Sequence, residues 1–289
     1  MRPLPRFRLL VWLCVLAGPT LGLADDTGIT REFHPWGRFY DHKGAWKRCR
    51  VTTETLDERG AVVNTNVTET KTSLEGVDGD GVTLQVESAA EIAGKQLPSE
   101  PKRVRQSFRG DLANGKVVIR SLGAKRVIVD GETFFCRVEE AQVTSARSKT
   151  VTRTYYSRTV APYVLKRESK TTDLDGTATL EENTFKVISL DKPCRFHPRI
   201  KRTALVEAVS TTPRGRTVTH AFTSVDVPGG VIWHVADELD KNGRLLRRSN
   251  LELVDYGLEP GVDDSRRIER GRGRPRRMHR SILQSQDPS

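Results

Sequence analysis

Helical periodicity is nearly absent from this chain, and apolar residues are scarce: hydrophobic residues make up 36% of it and aromatics 6%. Such a composition argues against a sheet buried on both faces and for sheets that keep one face in water. There is one apolar run of note, Leu9 to Ala17, and its nine residues fall well short of the roughly 20 needed to cross a bilayer. The longest stretch with any helical character, Ser88 to Ala93, suffices for a turn or two at most.

Cysteine is also rare. Of the four, Cys14 lies inside the apolar run, which leaves Cys49, Cys136 and Cys194. No Cys-x-x-Cys or Cys/His spacing indicates zinc or redox chemistry. Cys49 alternates with Val51, and Cys136 with Phe134 and Val138, so both point inward and form the candidate disulfide of an oxidising compartment. The alternative is three small buried hydrophobes.

Catalytic signatures are missing too. Gly-x-Ser-x-Gly, His-Glu-x-x-His and the phosphate-binding glycine loops do not occur. The six histidines, His34, His42, His197, His220, His234 and His279, follow no ligand spacing and read as surface or strand-end residues. Carboxylate pairs such as Glu139–Glu140 point to opposite faces of a strand and cannot share a proton-transfer task. No catalytic, cofactor-binding or metal-binding residue is assigned, and no cofactor.

What is present begins with an export signal. Arg2, Arg6 and Arg8 precede the apolar run, and Gly22-Leu23-Ala24 places small residues at a cleavage site near Ala24. The expected location is the periplasm, the cell envelope or outside the cell. About 265 residues remain after cleavage, with no further apolar stretch long enough to span a membrane.

The most informative pattern is a duplication. Residues 140–187 align with 207–254 without a gap at an offset of 67, with 14 identities. These include Thr150-Val151-Thr152 with Thr217-Val218-Thr219, Ser157 with Ser224, and Asp173 and Gly176 with Asp240 and Gly243. Each copy parses into four strands: 138–144, 149–157, 163–172 and 177–189, then 205–211, 216–224, 230–239 and 244–255. Asp and Gly clusters between them supply the positive φ that hairpin turns require. Asp57 and Gly60 repeat the Asp-x-x-Gly turn within 46–72 and read as one more common hairpin. The organisation is a signal segment (1–24), an N-terminal β region (25–135), β repeat 1 (136–190), a linker (191–202), β repeat 2 (203–257) and a tail (258–289). The linker either separates two sheets or crosses within one.

The tail carries eight arginines against five acids and little apolar content, as expected of a disordered basic segment. With the signal's three arginines set aside as well, the body holds about +5 of the net +11, too little for a nucleic-acid footprint. Arg270, Arg272, Arg274, Arg276 and Arg277 could meet an anionic envelope polymer or lipid; their Arg-Gly-Arg-Pro string also resembles a DNA minor-groove motif, but export removes that partner.

Aromatics cluster in Trp36, Phe39, Tyr40 and Trp46, and recur on strands. At strand spacing they are core; the sharper reading is a ligand groove, with Trp46, Tyr163 and Trp233 as its candidate ligand-facing residues. Two segments carry a resemblance: Gly44-Ala45-Trp46 running into Leu56-Asp57-x-x-Gly60, and Tyr155-Tyr156-Ser157 followed by Val160-Ala161-Pro162-Tyr163-Val164-Leu165-Lys166-Arg167-Glu168. Together they resemble exported bacterial proteins of unknown function of the planctomycete type. In architecture they are similar to the LolA-like half-barrels of periplasmic lipoprotein carriers, which implies a curved antiparallel sheet around an apolar groove. The helices that fill that groove have no counterpart here, and no binding residue carries over.

The expectation is therefore an all-β protein of long antiparallel meanders, forming a curved sheet or open barrel around a duplicated four-strand unit. Its expected role is non-catalytic, a binding or structural module. The alternatives are a lipid or lipoprotein carrier with an apolar groove, or a secreted hydrolase with no recognisable motif. Deleting residues 259–289 is expected to leave the thermal unfolding midpoint unchanged within error; a clear drop would show that the tail packs on the body.

Overall fold

Period-2 alternation and Asp/Gly turns divide the described residues into fourteen strands. The computed structural model describes residues 33–79, 81–92, 95–108, 116–193, 200 and 202–259. The N-terminal strands are β1 (Trp46–Leu56), β2 (Val62–Val77), β3 (Gly81–Ile92), β4 (Lys95–Pro98), β5 (Lys102–Ser107) and β6 (Lys116–Val129). The first repeat supplies β7 (Glu132–Thr144), β8 (Lys149–Tyr156), β9 (Val164–Thr172) and β10 (Thr179–Ser189). The second supplies β11 (Ala204–Thr212), β12 (Gly215–Thr223), β13 (Val231–Asp240) and β14 (Leu245–Gly257). Ser88 to Ile92 extends β3 instead of forming a helical turn, because Ala89 and Ala90 are paired on both sides, with Glu69 and Thr68 of β2 and with Pro98 and Leu97 of β4.

All strands join one antiparallel sheet in the order β4-β3-β2-β1-β14-β13-β12-β11-β10-β9-β8-β7-β6, with β5 also paired to β3. From β6 to β14 the chain is an unbroken meander; β14 then lies beside β1, and β1 leads back through β2 and β3. The sheet curves but does not close into a barrel, and β6 and the β4/β5 side are its edges. β10 pairs directly with β11, so the segment between the repeats crosses within one sheet and does not divide two.

The duplication is visible in the backbone. Ser157 N–H donates to Tyr163 O, and Ser224 N–H to Gly230 O, at 2.7 and 2.8 Å. Tyr163 N–H donates to Val160 O and Gly230 N–H to Val227 O, both at 2.8 Å. Tyr163 and Gly230 take the same left-handed conformation, φ +68° and +73°. The third Asp-x-x-Gly turn also matches at this level. The Asp57 carboxylate accepts the N–H groups of Arg59 and Ala61, as Asp240 accepts those of Asn242 and Arg244.

Burial falls into three apolar clusters. One joins Val127, Val129, Cys136, Val138, Tyr155, Leu165, Val187 and Val206. A second holds Trp36 and Phe39 against Leu74, Val82, Leu84 and Phe108. The third contains Cys49, Ile200, Val227, Val231, Ile232, Leu251 and Leu253. Cys49 and Cys136 are both buried, as their alternation predicts, but they occupy different clusters and are not bonded to each other. "Inward" on so long a sheet means three separate interiors. Cys14 and Cys194, the signal segment, His197, His279 and the tail arginines lie outside the described residues.

The chain just before β1 packs across one face of the sheet and covers the β8–β9 and β12–β13 turns. Trp36, 2% exposed, sits where Gly229 has no side chain; a Cβ there would lie 2.8 Å from Trp36 Cε2 and Nε1 and from Lys47 Nζ. Gly229 also needs its φ of +73°. Gly60 has a similar φ of +79° but open space around it. Gly229→Ala should therefore cost about 2 kcal/mol more than Gly60→Ala, since both share the conformational penalty of about 1 kcal/mol and only the first displaces Trp36. Urea midpoints of the two variants measure the difference; equal losses would refute the close packing.

Candidate functional site

The three aromatics nominated from sequence do not converge. Trp46 stands on β1 between Arg48 and Lys71, whose charges lie 6.0 and 5.6 Å from its ring. Trp233 packs on Phe222 at 5.9 Å. Trp46 alternates onto the face of Arg50, and Arg50, Glu252 and Trp233 form one cross-strand row, so the two tryptophans share a face with β14 between them. Lys47, Cys49 and Val51 point the other way. Tyr163 is in the β8–β9 turn, where the Phe33 ring packs at a tilt with its centroid 5.1 Å away and the Arg38 guanidinium lies 5.8 Å from the ring.

Sequence reasoning missed the convergence that does occur, around Phe33 to Phe39. Phe33 meets both Tyr163 and Tyr156. Gly229 N–H donates to Pro35 O at 3.1 Å. Lys47, only 1% exposed, lies 5.7 Å from the Trp36 ring and donates to Gly229 O at 3.4 Å. The segment thus ties the first repeat's turn to the second's. The aromatic cluster from Trp36 to Trp46 was the available signal, but the two turns that this segment joins are more than 100 residues away in sequence.

His34 is buried and His234 is half-buried, where the sequence suggests surface or strand-end positions. His34 Nδ1 accepts the N–H groups of Trp36 and Gly37 at 3.3 and 3.2 Å, which start the short 3₁₀ turn Gly37–Phe39. Burial, with the nearby charge of Arg167, lowers His34 to about 4. Burial, with the charge of Lys47, lowers His234 to about 4. Burial also lowers Arg167 to about 10, still cationic at neutral pH. Among the described residues, no group of three or more His, Cys, Asp or Glu is placed to hold a metal ion.

On the face that the N-terminal segment covers, two cross-strand rows continue past it toward the far turns. The first places Ala208, Thr219, Ala236 and Ser249 side by side on β11 to β14. All four side chains are short and half-buried. The second, one step further along, runs Thr152, Ser169, Asn183, Ser210, Thr217 and Glu238. Its hydroxyls interlock: Thr152 with Ser169 at 3.1 Å, and Ser210 with Glu181 at 3.1 Å. Each hydroxyl keeps acceptor capacity beyond these bonds.

The opposite face carries ion pairs: Lys186–Glu207 at 2.8 Å, Arg248–Asp237 at 2.7 Å, and Glu140 held by both Arg153 and Arg120. Hydrogen bonds from Arg153, then Arg120, keep the Glu140 carboxyl below the usual range. Its neighbour Glu139 accepts the Tyr156 hydroxyl at 2.8 Å, so the two carboxylates do serve opposite faces.

No family model matches the chain, and no curated protein matches it. Two crystal structures are similar at low level. One is a protein described as exported, with a YmcC-like fold, from Bacteroides fragilis: TM-score 0.27, 9% identity, 73% of this chain and 95% of that one. The other is described as a lipoprotein from Parabacteroides distasonis: TM-score 0.29, 10% identity, 76% of this chain and 98% of that one. Neither is a planctomycete protein, and neither is described as a lipoprotein carrier.

The two histidines make stability depend on pH. Their folded pKa values lie below the ordinary 6.5, so the unfolded chain takes up protons first as pH falls. The stability they allow is complete above pH 6.5 and is lost toward pH 4, by about 3 kcal/mol each at the bottom of that window. Carboxylates held low, such as Glu140, add their loss only below the ordinary Glu value of 4.5. Urea midpoints between pH 7 and 5 should fall for the wild type. They should fall about half as steeply for His34→Asn, whose Oδ1 can replace Nδ1 as acceptor. An unchanged slope would place that proton uptake elsewhere.

Proposed function

We propose that this chain is an exported, non-catalytic binding module, and that its working surface is a shallow channel formed by the row of short side chains and bordered by the Thr/Ser row. A hydroxyl-lined channel favours an extended ligand that is itself rich in hydroxyls, such as a polysaccharide strand, because each such group can give and take a hydrogen bond. The channel carries the reading: Ala208, Thr219, Ala236 and Ser249 in one row, with Ser210 and Thr217 beside them. An acyl-chain carrier needs apolar side chains where the second row has Thr, Ser, Asn and Glu, so that alternative is weaker. A hydrolase needs groups that share a proton-transfer task, and the two carboxylates beside these rows are otherwise engaged: Glu238 is paired with Arg247 at 3.4 Å, and Glu181 accepts the Ser210 hydroxyl at 3.1 Å.

Affinity electrophoresis through gels containing envelope polysaccharide tests the reading. Ala236→Trp, which fills the channel, should reduce retardation at least tenfold, the scale of blocking a preformed site. Val254→Trp, at an exposed position, should leave it unchanged. Equal retardation of both variants would remove the channel from the proposal. Native mass spectrometry that finds a stoichiometric acyl chain on protein from its own host would replace it with the carrier reading.

A further inference from the structure

The β6–β7 hairpin breaks the rule that an exposed strand face is polar. Its inner face buries Val127, Val129, Cys136 and Val138. Its other face, set by the pairs Ala124–Arg137, Arg126–Phe135 and Ile128–Thr133, is exposed along its whole length. Ile128 and Phe135 are 70% and 71% exposed, the highest values of any large hydrophobic among the described residues. The Arg126 guanidinium lies 5.8 Å from the Phe135 ring. Arg137 belongs to the same face, and the exposed Arg158 stands close enough for both charges to act on the Tyr156 hydroxyl.

Acids are absent from this patch or already engaged. None of Arg126, Arg137 and Arg158 is in an ion pair within the described residues. Glu139 accepts the Tyr156 hydroxyl, Asp130 at the turn is held by Ser189 and Lys192, and Glu132 alternates onto the buried side. Two bulky apolar side chains within a group of arginines, on the edge hairpin of an open sheet, form an amphipathic surface that can meet a flat partner.

We propose that the β6–β7 hairpin docks the protein onto an anionic phospholipid surface. Ile128 and Phe135 enter the boundary between headgroups and acyl chains, and Arg126, Arg137 and Arg158 bind headgroup phosphates through their forked N–H groups. Charge selects this occupant over a second copy of the chain. A two-fold contact would set the same three arginines against each other, with Glu139, half-buried and held by the Tyr156 hydroxyl, as the one acid on that face of β7. The site is separate from the channel, so either proposal can fail alone.

The full chain is sedimented with phosphatidylcholine vesicles, with and without phosphatidylglycerol, at rising salt. Binding should require phosphatidylglycerol and weaken steeply with salt. Ile128→Ser with Phe135→Ser, and separately Arg126→Gln with Arg137→Gln and Arg158→Gln, should each lower it about tenfold while circular dichroism stays that of the wild type. Because the tail arginines could also bind such vesicles, Phe135→Trp supplies a local readout: brominated acyl chains should quench its added fluorescence. Undiminished binding by both sets of variants, or no quenching at Trp in place of Phe135, overturns the proposal. So does self-association that Phe135→Ser abolishes, which would make the patch a contact between copies.

Discussion

The pairing of β1 with β14 is the contact on which the rest of the structure rests. It joins strands some 200 residues apart, and the Thr53–Ser249 hydroxyl pair at 3.1 Å lies in its middle. Without it the molecule would be two sheets with two more open edges, each offering unpaired N–H and C=O groups. With it, Cys49 and Val51 face the same interior as Leu251 and Leu253. Lys47 comes under the β12–β13 turn, and Trp36 finds the space left by Gly229. The loop-closure cost of so distant a contact grows only slowly with length, whereas the area gained along eleven residues of β1 is large.

The duplicated unit shows how two copies of one scaffold can diverge without losing their backbone. Tyr163 and Gly230 hold the same left-handed φ, which glycine adopts without penalty and a bulky residue does not. The first copy has accepted that strain and gained a ring that Phe33 and Arg38 contact. The second has kept glycines and gained room for Trp36. The N-terminal segment therefore distinguishes the copies by shape, aromatic on one turn and vacant on the other, and docks in a single orientation.

Much of this architecture was legible in the sequence. The eight strands of the repeats were placed within a few residues, the largest error being the start of β7, because Thr and Val alternate cleanly and Asp/Gly turns interrupt them. The all-β class and the opposed roles of Glu139 and Glu140 follow from the same period of two. What could not be read depends on contacts distant in sequence. Nothing local marks His34 as an acceptor under Phe108, or His234 as a neighbour of Lys47. Alternation showed that Cys49 and Cys136 point inward, but not that three interiors exist. The short-side-chain row is likewise invisible until the register of β11 to β14 aligns Ala208 with Ala236.

Sheet order and chain order disagree at one place, and that has a consequence for synthesis. A chain made amino end first delivers β1, β2 and β3 early and β14 last. Until β14 arrives, the β14-facing edge of β1 has no partner, and Cys49 and Val51 lack Leu251 and Leu253 to pack on. At roughly 5–20 residues per second, the intervening stretch of about 200 residues takes on the order of ten seconds or more to follow, far longer than local strand pairing needs. The early hairpins are thus the segment most exposed to wrong strand pairing, and Lys, Arg and Glu alternating along β1 and β2 are the kind of side chains that discourage it.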